Sequence, residues 1–510
     1  MKKYILVHDI GTTGNKTGIF NEEGKLLASS YHPYQTYYPQ PLYVEQSPHE
    51  WWKAVCLSTK KVLAKAGVSP SDIACISLSG QMMGAVPVDR DGNLLRDRVW
   101  IWADARAKKQ AQMILKKLGG MERFYQITAL GHIPECNAVF KMVWMKEKEP
   151  DLYRKTYKFL QAKDYIVSKL TGVFGTDFSD ASNTGLFDIK KRDYSDEILY
   201  AAGISREKLP DIHDSIDIAG NITRQAAQET GLKSGIPVAV GGGDVPCAAA
   251  GAGVLKEKTC YIYIGSAAWM GIFSPEPLFD FKSMLCSFAH VVPGAYTPHY
   301  TAYSGGICYQ WFKNICCGIE SEAAKKSGVD VYDILNLKAQ SIPPGSDGLL
   351  FLPYMRSGGA PYHNPNDRGA FIGLSLPHKK EHLIRAIMEG VALNQRIILE
   401  LFQRQGVKIQ QVRVIGGGSK GKIWPQIIAD VLNLEVSLIS LTQEANSLGA
   451  AIIGGVAIGM FKDFSVADKM IEVASRQKSR PQAHQKYEKI YPIFKQAYKS
   501  LVPVFDQLAG

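Results

Sequence analysis

The chain has no Cys-x-x-Cys pair, no long apolar run, no Walker phosphate loop and no low-complexity segment. Each absence removes a class of protein. Its nine cysteines stand at 56, 75, 136, 247, 260, 286, 308, 316 and 317. The count is odd and Cys316-Cys317 is not zinc-ligand spacing, so neither a disulfide framework nor a zinc site is expected. Reduced thiols in a cytoplasm fit this usage. No window reaches roughly 18 apolar residues, so no membrane-spanning helix is expected. The start, Met1-Lys2-Lys3-Tyr4-Ile5-Leu6-Val7, meets His8-Asp9 after four apolar residues, too few for the core of a signal peptide. Formal net charge is +11, yet Lys and Arg are spread along the chain, and the densest spot, Lys60-Lys61 to Lys65, reads as a solvated helix face. That balance suits solubility and attraction for small anions and argues against a nucleic-acid partner.

What is present is a soluble, globular composition, 46% hydrophobic and 21% charged, in 510 residues. That is too long for one ordinary core and points to several units or two large ones. Tyr4 to Val7 reads as a buried strand, followed by the loop Gly11-Thr12-Thr13-Gly14, a strand from Lys16 to Phe20 and a turn at Asn21-Glu22-Glu23-Gly24. Ser47-Pro48-His49-Glu50 has the form of a capping box opening a helix with Trp51, Trp52, Val55 and Leu63. Ile73 to Leu78 is a further strand, and Ala105 to Leu118 has helical spacing. The second half repeats the grammar. Strands at Ile236–Val240, Cys260–Ile264 and Val412–Ile415 run into Gly241-Gly242-Gly243-Asp244, Gly265-Ser266 and Gly416-Gly417-Gly418; helices follow around Ala248–Ala252, Lys422–Leu432 and Ser447–Gly459. Strand, glycine turn and helix in alternation predict α/β layers around mixed sheets. The turn from Asp9 to Thr13 has a counterpart from Ile264 to Ala267, which predicts two related domains across a cleft, 1–250 and 251–510.

Three turns carry candidate chemistry. In Asp9-Ile10-Gly11-Thr12-Thr13-Gly14, glycines free backbone amides to face an anion, Thr hydroxyls add donors, Asp9 can hold Mg²⁺ and Lys16 can reach phosphates as a point charge. A plain hairpin turn is the alternative. In Gly241-Gly242-Gly243-Asp244 a bare backbone makes a crevice floor, and Asp244 can accept the proton of an alcohol. Asp244 also suits a helix N-cap with Pro246 just inside, and both roles stay open. Gly416-Gly417-Gly418-Ser419 before a helix can cradle phosphate or underlie a flat ring.

The segment from Gly369 reads Gly-x-Phe-x-Gly-Leu, seven further residues, then His382-Leu383-x-x-Ala386-Ile387-Met388-Glu389. It resembles, at every specified position, the second signature of the FGGY carbohydrate kinases, and the resemblance covers nearly the whole chain. Gly80-Gln81-Met82-x-Gly84, Trp102-x-Asp104-x-Arg106, Lys163-Asp164-Tyr165 and Asp177-x-Ser179-Asp180 resemble stretches of xylulose kinases. Gly306-x-x-x-Gln310-Trp311 resembles a nucleotide-contacting stretch of glycerol kinase, and Phe351-Leu352-Pro353-Tyr354 and Glu444-Ala445-x-x-Leu448-Gly449-Ala450-Ala451 also fit. The resemblance implies two actin-like, ribonuclease-H-like domains closing over MgATP and a sugar. It implies Asp244 as the base and Asp9 at the metal. It implies Thr12, Thr13, Lys16, Gly265, Ser266, Gly306, Gln310, Gly417, Gly418 and Gly421 around ATP, and Gln81, Met82, Met83, Trp102, Asp104 and Val245 with Asp244 at the sugar.

The sugar side departs from the xylulose-kinase pattern. Met83 stands where those enzymes have His, Val245 where they have Asn, and Ala103 where they have Asn. Cys136 and Ala138 precede Lys141-Met142-Val143-Trp144 atypically, and Arg356-Ser357-Gly358-Gly359-Ala360-Pro361 lacks the usual Glu-Arg-Thr-Pro. Either these changes lie out of the sugar's reach, or the swaps from polar to apolar favour a ligand with fewer or differently placed hydroxyls, since a site built to bind a hydroxyl discriminates strongly for it. Gly-Gly-Gly-Asp-Val and Gly-Gly-Gly-Ser-Lys-Gly-Lys-x-Trp also resemble the autoinducer-2 kinase branch. The expected reaction is ATP-dependent phosphorylation of a small ketose or polyol, D-xylulose to D-xylulose 5-phosphate first. Another sugar, polyol or dihydroxy-ketone is the alternative, and a non-catalytic actin-like nucleotide-binding regulator the distant one. No nucleic acid or membrane is expected as a partner, and a homodimer is left open.

Overall fold

The computed structural model describes residues 3–131, 133–356 and 359–510; Ser357 and Gly358 of the atypical stretch noted above lie outside the described residues. The apolar run at the start forms strand β1 (Tyr4–Ile10), which turns at the Gly-Thr loop into β2 (Gly14–Phe20) and then β3 (Leu26–Pro33). Helix α1 (Pro48–Ala66) follows, then β4 (Ile73–Gly80), β5 (Ile218–Asn221) and β6 (Pro237–Ala239). They stack in the order β5-β6-β4-β1-β2-β3. The β1–β2 and β2–β3 pairs are antiparallel, β1–β4 and β4–β6 parallel, and β5–β6 antiparallel.

Helix α2 (Asp244–Gly251) leads into a second sheet of β7 (Thr259–Ile264), β8 (Ala268–Ile272), β9 (Cys286–Ala289), β10 (Tyr296–Ala302), β11 (Gln411–Ile415), β12 (Val436–Ile439) and β13 (Val473–Gln477). Its order is β9-β10-β8-β7-β11-β12-β13. Here β7–β8 and β8–β10 are antiparallel, β7–β11 and β11–β12 parallel, and β12–β13 antiparallel. The run of strand directions is the same as in the first sheet, so the repeat expected from the paired glycine turns is a repeat of topology. The fold is α/β with two sheet-centred domains. Helices α3 (Gly306–Cys316), α4 (Lys380–Arg404) and α5 (Ile423–Leu432) accompany the second sheet, whereas α6 (Ala445–Ala457) packs on β1 and β4 of the first.

Parallel central strands are apolar on both faces because helices cover both. Every residue of β4 is buried, and α1 lays Trp51, Val55, Val62 and Leu63 into the same apolar cluster as Leu6, Ile19 and Ile76. One cluster joins the two sheets: Ile5 and Val7 of β1 pack with Ala248 and Ala249 of α2, Tyr261 of β7, and Leu448 and Ala451 of α6. Helices α2 and α6 touch backbone to backbone. A Cβ on Gly251 would stand 1.8 Å from the Ala445 carbonyl oxygen, and one on Gly449 would stand 2.0 Å from that of Cys247.

Two local expectations need correction. The helix after Ser47 begins where the motif places it, but Ser47 makes no side-chain cap. Glu50 instead accepts from the Tyr37 hydroxyl at 3.0 Å and the Gln35 N–H at 3.2 Å, so tertiary partners outcompete the local box. Helical spacing from Ala105 gives a helix only over Lys108–Lys117, because the Asp104–Arg106 pair holds the preceding turn in another shape. The signature on α4 serves the frame. Glu389 accepts from Gly345 N–H (2.9 Å), Ser346 Oγ (2.8 Å), Arg385 Nε (2.7 Å) and the Tyr487 hydroxyl (2.7 Å), a buried network within the second half.

Candidate active site

The two ends of β1 and β4 converge with the end of the first sheet's Gly242-Gly243 bridge, which pairs Ser79-Gly80 in parallel. Asp9 is the last polar residue of β1, and Asp244 is the first helical residue of α2. Gly243, not Asp244, is the N-cap; the Asp244 carboxylate accepts from the Val245 N–H at 2.8 Å. Gly241 holds φ +79°, and a Cβ there would lie 2.3 Å from the Leu78 carbonyl oxygen, so the strand end tolerates no side chain.

Asp9 and Asp244 are both half-buried, and Asp244 feels the charge of Asp9. Burial first, and Asp9 second, push the Asp244 carboxyl up to about 7. Burial also raises Asp9, against the pull of Lys16 and hydrogen bonds to Ser79 and Asn446. Lys16 donates to the Gln443 carbonyl at 2.6 Å, and Asn446 Nδ2 approaches Asp9 Oδ1 at 3.5 Å, so residues of the second half reach this carboxylate.

Behind the glycines lies a buried ionic frame. The Lys163 ammonium sits 2.6 Å from Asp164, 3.3 Å from Asp177 and 3.4 Å from Asp180, and donates to the Val240 carbonyl at 3.2 Å. Burial works against its charge, but the three carboxylates outweigh that and hold it firmly protonated. Ser179 links this frame to the strand end: its Oγ accepts the Gly243 N–H at 2.9 Å and donates to Asp177 at 2.5 Å.

The residues expected at a sugar fall on one wall, in different states. Gln81 is buried, its amide donating to Gln46 Oε1 at 2.8 Å while its own Oε1 has no partner. Gln46 in turn donates to the Thr12 carbonyl at 2.6 Å. Trp102 is 44% exposed and donates to Thr12 Oγ1 at 2.9 Å, which ties the sugar wall to the Gly-Thr turn. Met82 is buried, and Met83 and Val245 pack half-buried against its apolar cluster with Trp100 and Phe288. Met83 holds φ +65°. The buried Lys141 fixes it by donating to the Met83 and Ile101 carbonyls at 3.0 and 2.7 Å, and burial lowers that amine to about 8. Asp104 points elsewhere: it is fully buried, paired through both oxygens with Arg106 and accepting from the Val44 N–H at 2.8 Å.

The expected nucleotide residues line the two hairpin turns and the end of β11. Gly11 and Gly14 close the first turn at 3.1 Å, and Thr13, exposed, accepts from the Tyr31 hydroxyl. Gly265 and Ala267 close the second at 2.9 Å, leaving Ser266 exposed, and the N-terminus of α3 abuts it, with Gly306 N–H donating to the Gly265 carbonyl at 2.7 Å. Gln310 is exposed one helical turn further on. Gly417 and Gly418 form a 3₁₀ turn past β11, and the space beside Gly421 is taken by Asn336.

Sequence reasoning missed Gln46, Asn446 and an aromatic group. Tyr263 and Trp269 stack across the β7–β8 hairpin at 3.9 Å and 13°. Burial, then the charges of Asp244 and Asp9, raise the Tyr263 hydroxyl. In sequence these rings read only as strand residues, and Asn446, 437 positions from Asp9, leaves no local signal.

The FGGY family of carbohydrate kinases matches the chain twice, its N-terminal domain over residues 4–251 and its C-terminal domain over residues 260–458. A xylulose kinase of Bacillus subtilis (strain 168) is 31% identical over 497 residues, covering 97% of each chain. A gluconokinase of Bacillus licheniformis is 30% identical over 516 residues, covering 100% of this chain and 98% of its own. The solved xylulose kinase of Rhodospirillum rubrum superposes with a TM-score of 0.87 at 26% identity, covering 99% of this chain and 100% of its own.

Proposed function

Because the chain belongs to the FGGY family of carbohydrate kinases, we propose that it transfers the γ-phosphoryl group of ATP to a hydroxyl of a small ketose or polyol, D-xylulose giving D-xylulose 5-phosphate in the first instance. One observation carries the reading: a half-buried carboxyl, Asp244, pushed up to about 7 by desolvation and by the neighbouring Asp9 at the lip of a bare glycine strand. A base poised near working pH is what proton removal from an alcohol needs. In this role Asp244 accepts the hydroxyl proton as the sugar oxygen bonds to the γ-phosphorus and the bond to the β-bridging oxygen breaks. Ser179 and the Lys163 frame keep the carboxylate's backbone still during that step.

Thr12, Thr13, Lys16, Gly265 and Ser266 would frame the phosphates from two facing turns, with Gly306, Gln310, Gly417, Gly418 and Gly421 at the nucleoside. Among the described residues no group of three or more His, Cys, Asp and Glu side chains is arranged to hold a metal ion. A divalent cation would therefore take most ligands from water and phosphate oxygens, which suits Mg²⁺. The two carboxyls, Asp9 and Asp244, fit such an ion, with Asp9 as its holder. When bound, it neutralises charge on the β- and γ-phosphates. The halves 1–250 and 251–510 would close over both ligands.

A second reading rests on the wall itself. Met83 and Val245 belong to an apolar cluster, which favours a less hydroxylated dihydroxy-ketone, such as autoinducer-2, over D-xylulose. The test is ADP release, coupled to an optical readout, with D-xylulose, D-gluconate and deoxy or open-chain analogues at equal concentration. D-xylulose with the highest kcat/KM supports the first reading, and a less hydroxylated analogue the second. ADP release unchanged by any of them overturns both.

A further inference from the structure

Apart from the cleft, a cavity of about 730 Å³ opens on the first half. Three arginines in its wall each lie on an aromatic ring. Arg90 stands 4.8 Å over Tyr157, Arg192 4.3 Å over Phe178 and Arg206 5.4 Å over Tyr194. A guanidinium stacked on a ring is fixed in its plane and presents its N–H edge, the geometry that grips a phosphate by two parallel bonds.

Arg192 is the sharpest case. It occupies the turn of the hairpin that pairs Phe187-Asp188 with Asp193-Tyr194, at φ +56°. A left-handed turn residue is ordinarily Gly or Asn. From such a turn a long cation could reach solvent, yet its side chain folds inward, and its Nη1 is buried with no acceptor. That nitrogen is shut in by the packing of the guanidinium on Phe178 and Tyr296 and does not face the cavity, so a ligand would be met by the rest of the guanidinium edge. Among the described residues neither Arg90 nor Arg192 forms an ion pair, whereas Arg206 is paired with Asp193 at 2.6 Å. Glu207 and Asp211 stand exposed on the same wall. They would repel a bare anion but accept bonds from hydroxyls, and the volume exceeds what inorganic phosphate fills.

We propose that this cavity is a binding site for a small phosphate monoester that carries hydroxyls, gripped by Arg192 and Arg90. It is independent of the phosphoryl-transfer site. It does share a wall with it: Phe178 belongs to the same short helix, Phe178–Ala181, as Ser179, which braces Gly243.

The test is calorimetric titration of the full chain, with ADP present to occupy the cleft, using α-glycerophosphate and inorganic phosphate as probes. The wild type is expected to bind α-glycerophosphate more tightly than inorganic phosphate. Loss of one charge-assisted pair in Arg192→Gln is expected to weaken the ester at least about tenfold, with sugar turnover unchanged. Arg90→Gln, altered at an exposed side chain, gives the same test if the turn variant does not fold. Equal affinity in wild type and variants, or no heat at millimolar ester, overturns the site. Tighter binding of inorganic phosphate than of the ester overturns the monoester assignment.

Discussion

Asp244→Asn is expected to make the chain harder to melt at pH 8 and to leave it unchanged near pH 4. Burial and the neighbouring Asp9 raise this carboxyl from its ordinary 3.8 to about 7 in the folded chain. Between those values the folded state keeps a proton that the unfolded state has released. The unfolded state then binds fewer protons, so stability falls as pH rises through this window. The loss is nil below about pH 4 and complete above about pH 7. At about 1.36 kcal/mol per pH decade, a gap from 3.8 to about 7 amounts to about 4 kcal/mol carried by ionised Asp244. Asparagine has no proton to lose, and its amide oxygen can still accept the Val245 N–H that Asp244 accepts at 2.8 Å. With about 2 °C of melting midpoint per kcal/mol for a unit of roughly 250 residues, the variant should melt about 8 °C above wild type at pH 8. Scanning fluorimetry of both proteins from pH 4 to 8.5 in EDTA gives the difference directly. A difference constant with pH, or a wild type that melts higher at pH 8, refutes the account of Asp244 as a desolvated, repelled carboxylate.

The same variant is expected to lose about 10²–10⁴-fold in kcat while still binding sugar and ATP; retention of more than about half the wild-type kcat makes another group the base. Met83→His with Val245→Asn restores two polar partners, at about 0.5–1.5 kcal/mol each. It should therefore shift kcat/KM toward D-xylulose by about 5- to 150-fold relative to a deoxy analogue. Histidine is among the residues that tolerate the left-handed φ of +65° at position 83. Saturating sugar with a non-hydrolysable ATP analogue should lower the radius of gyration in X-ray scattering, and an unchanged profile counts against closure of the two halves.

Strands ending in glycine were legible because two local signals coincide there, an apolar run and a residue without Cβ. That combination located β1, β4, β7 and β11 and the turns that end them. The repeat of two sheets followed from the likeness of Gly11-Thr12-Thr13 to Gly265-Ser266-Ala267. What could not be read was competition among distant partners. Glu50 was expected to cap its own helix, yet Tyr37 and Gln35 claim it. Asp104 was expected at the sugar, and its oxygens are spent on Arg106 and Val44. The carbonyl of Gln443 on which the Lys16 ammonium rests, 427 positions away, was likewise beyond local reading. Such choices are settled by three-dimensional packing: even where the partners stand two positions apart, as Asp104 and Arg106 do, no helical or strand spacing announces the pair.

The crossing of α2 and α6 has a mechanical meaning. Asp244 opens α2 and Gly251 closes it, seven residues on, so the carboxylate stands about 10 Å along the helix from that contact at 1.5 Å per residue. Helix α2 is thus a lever with the base on its tip and a pair of missing side chains as fulcrum. Rolling one half over the other by about 10° at Gly251 sweeps Asp244 through about 2 Å, the difference between touching a sugar hydroxyl and missing it. A single methyl at Gly251 or Gly449 would wedge the fulcrum open against the facing carbonyl. Such a change could throttle the chemistry from outside the active site, with every group that touches substrate left intact.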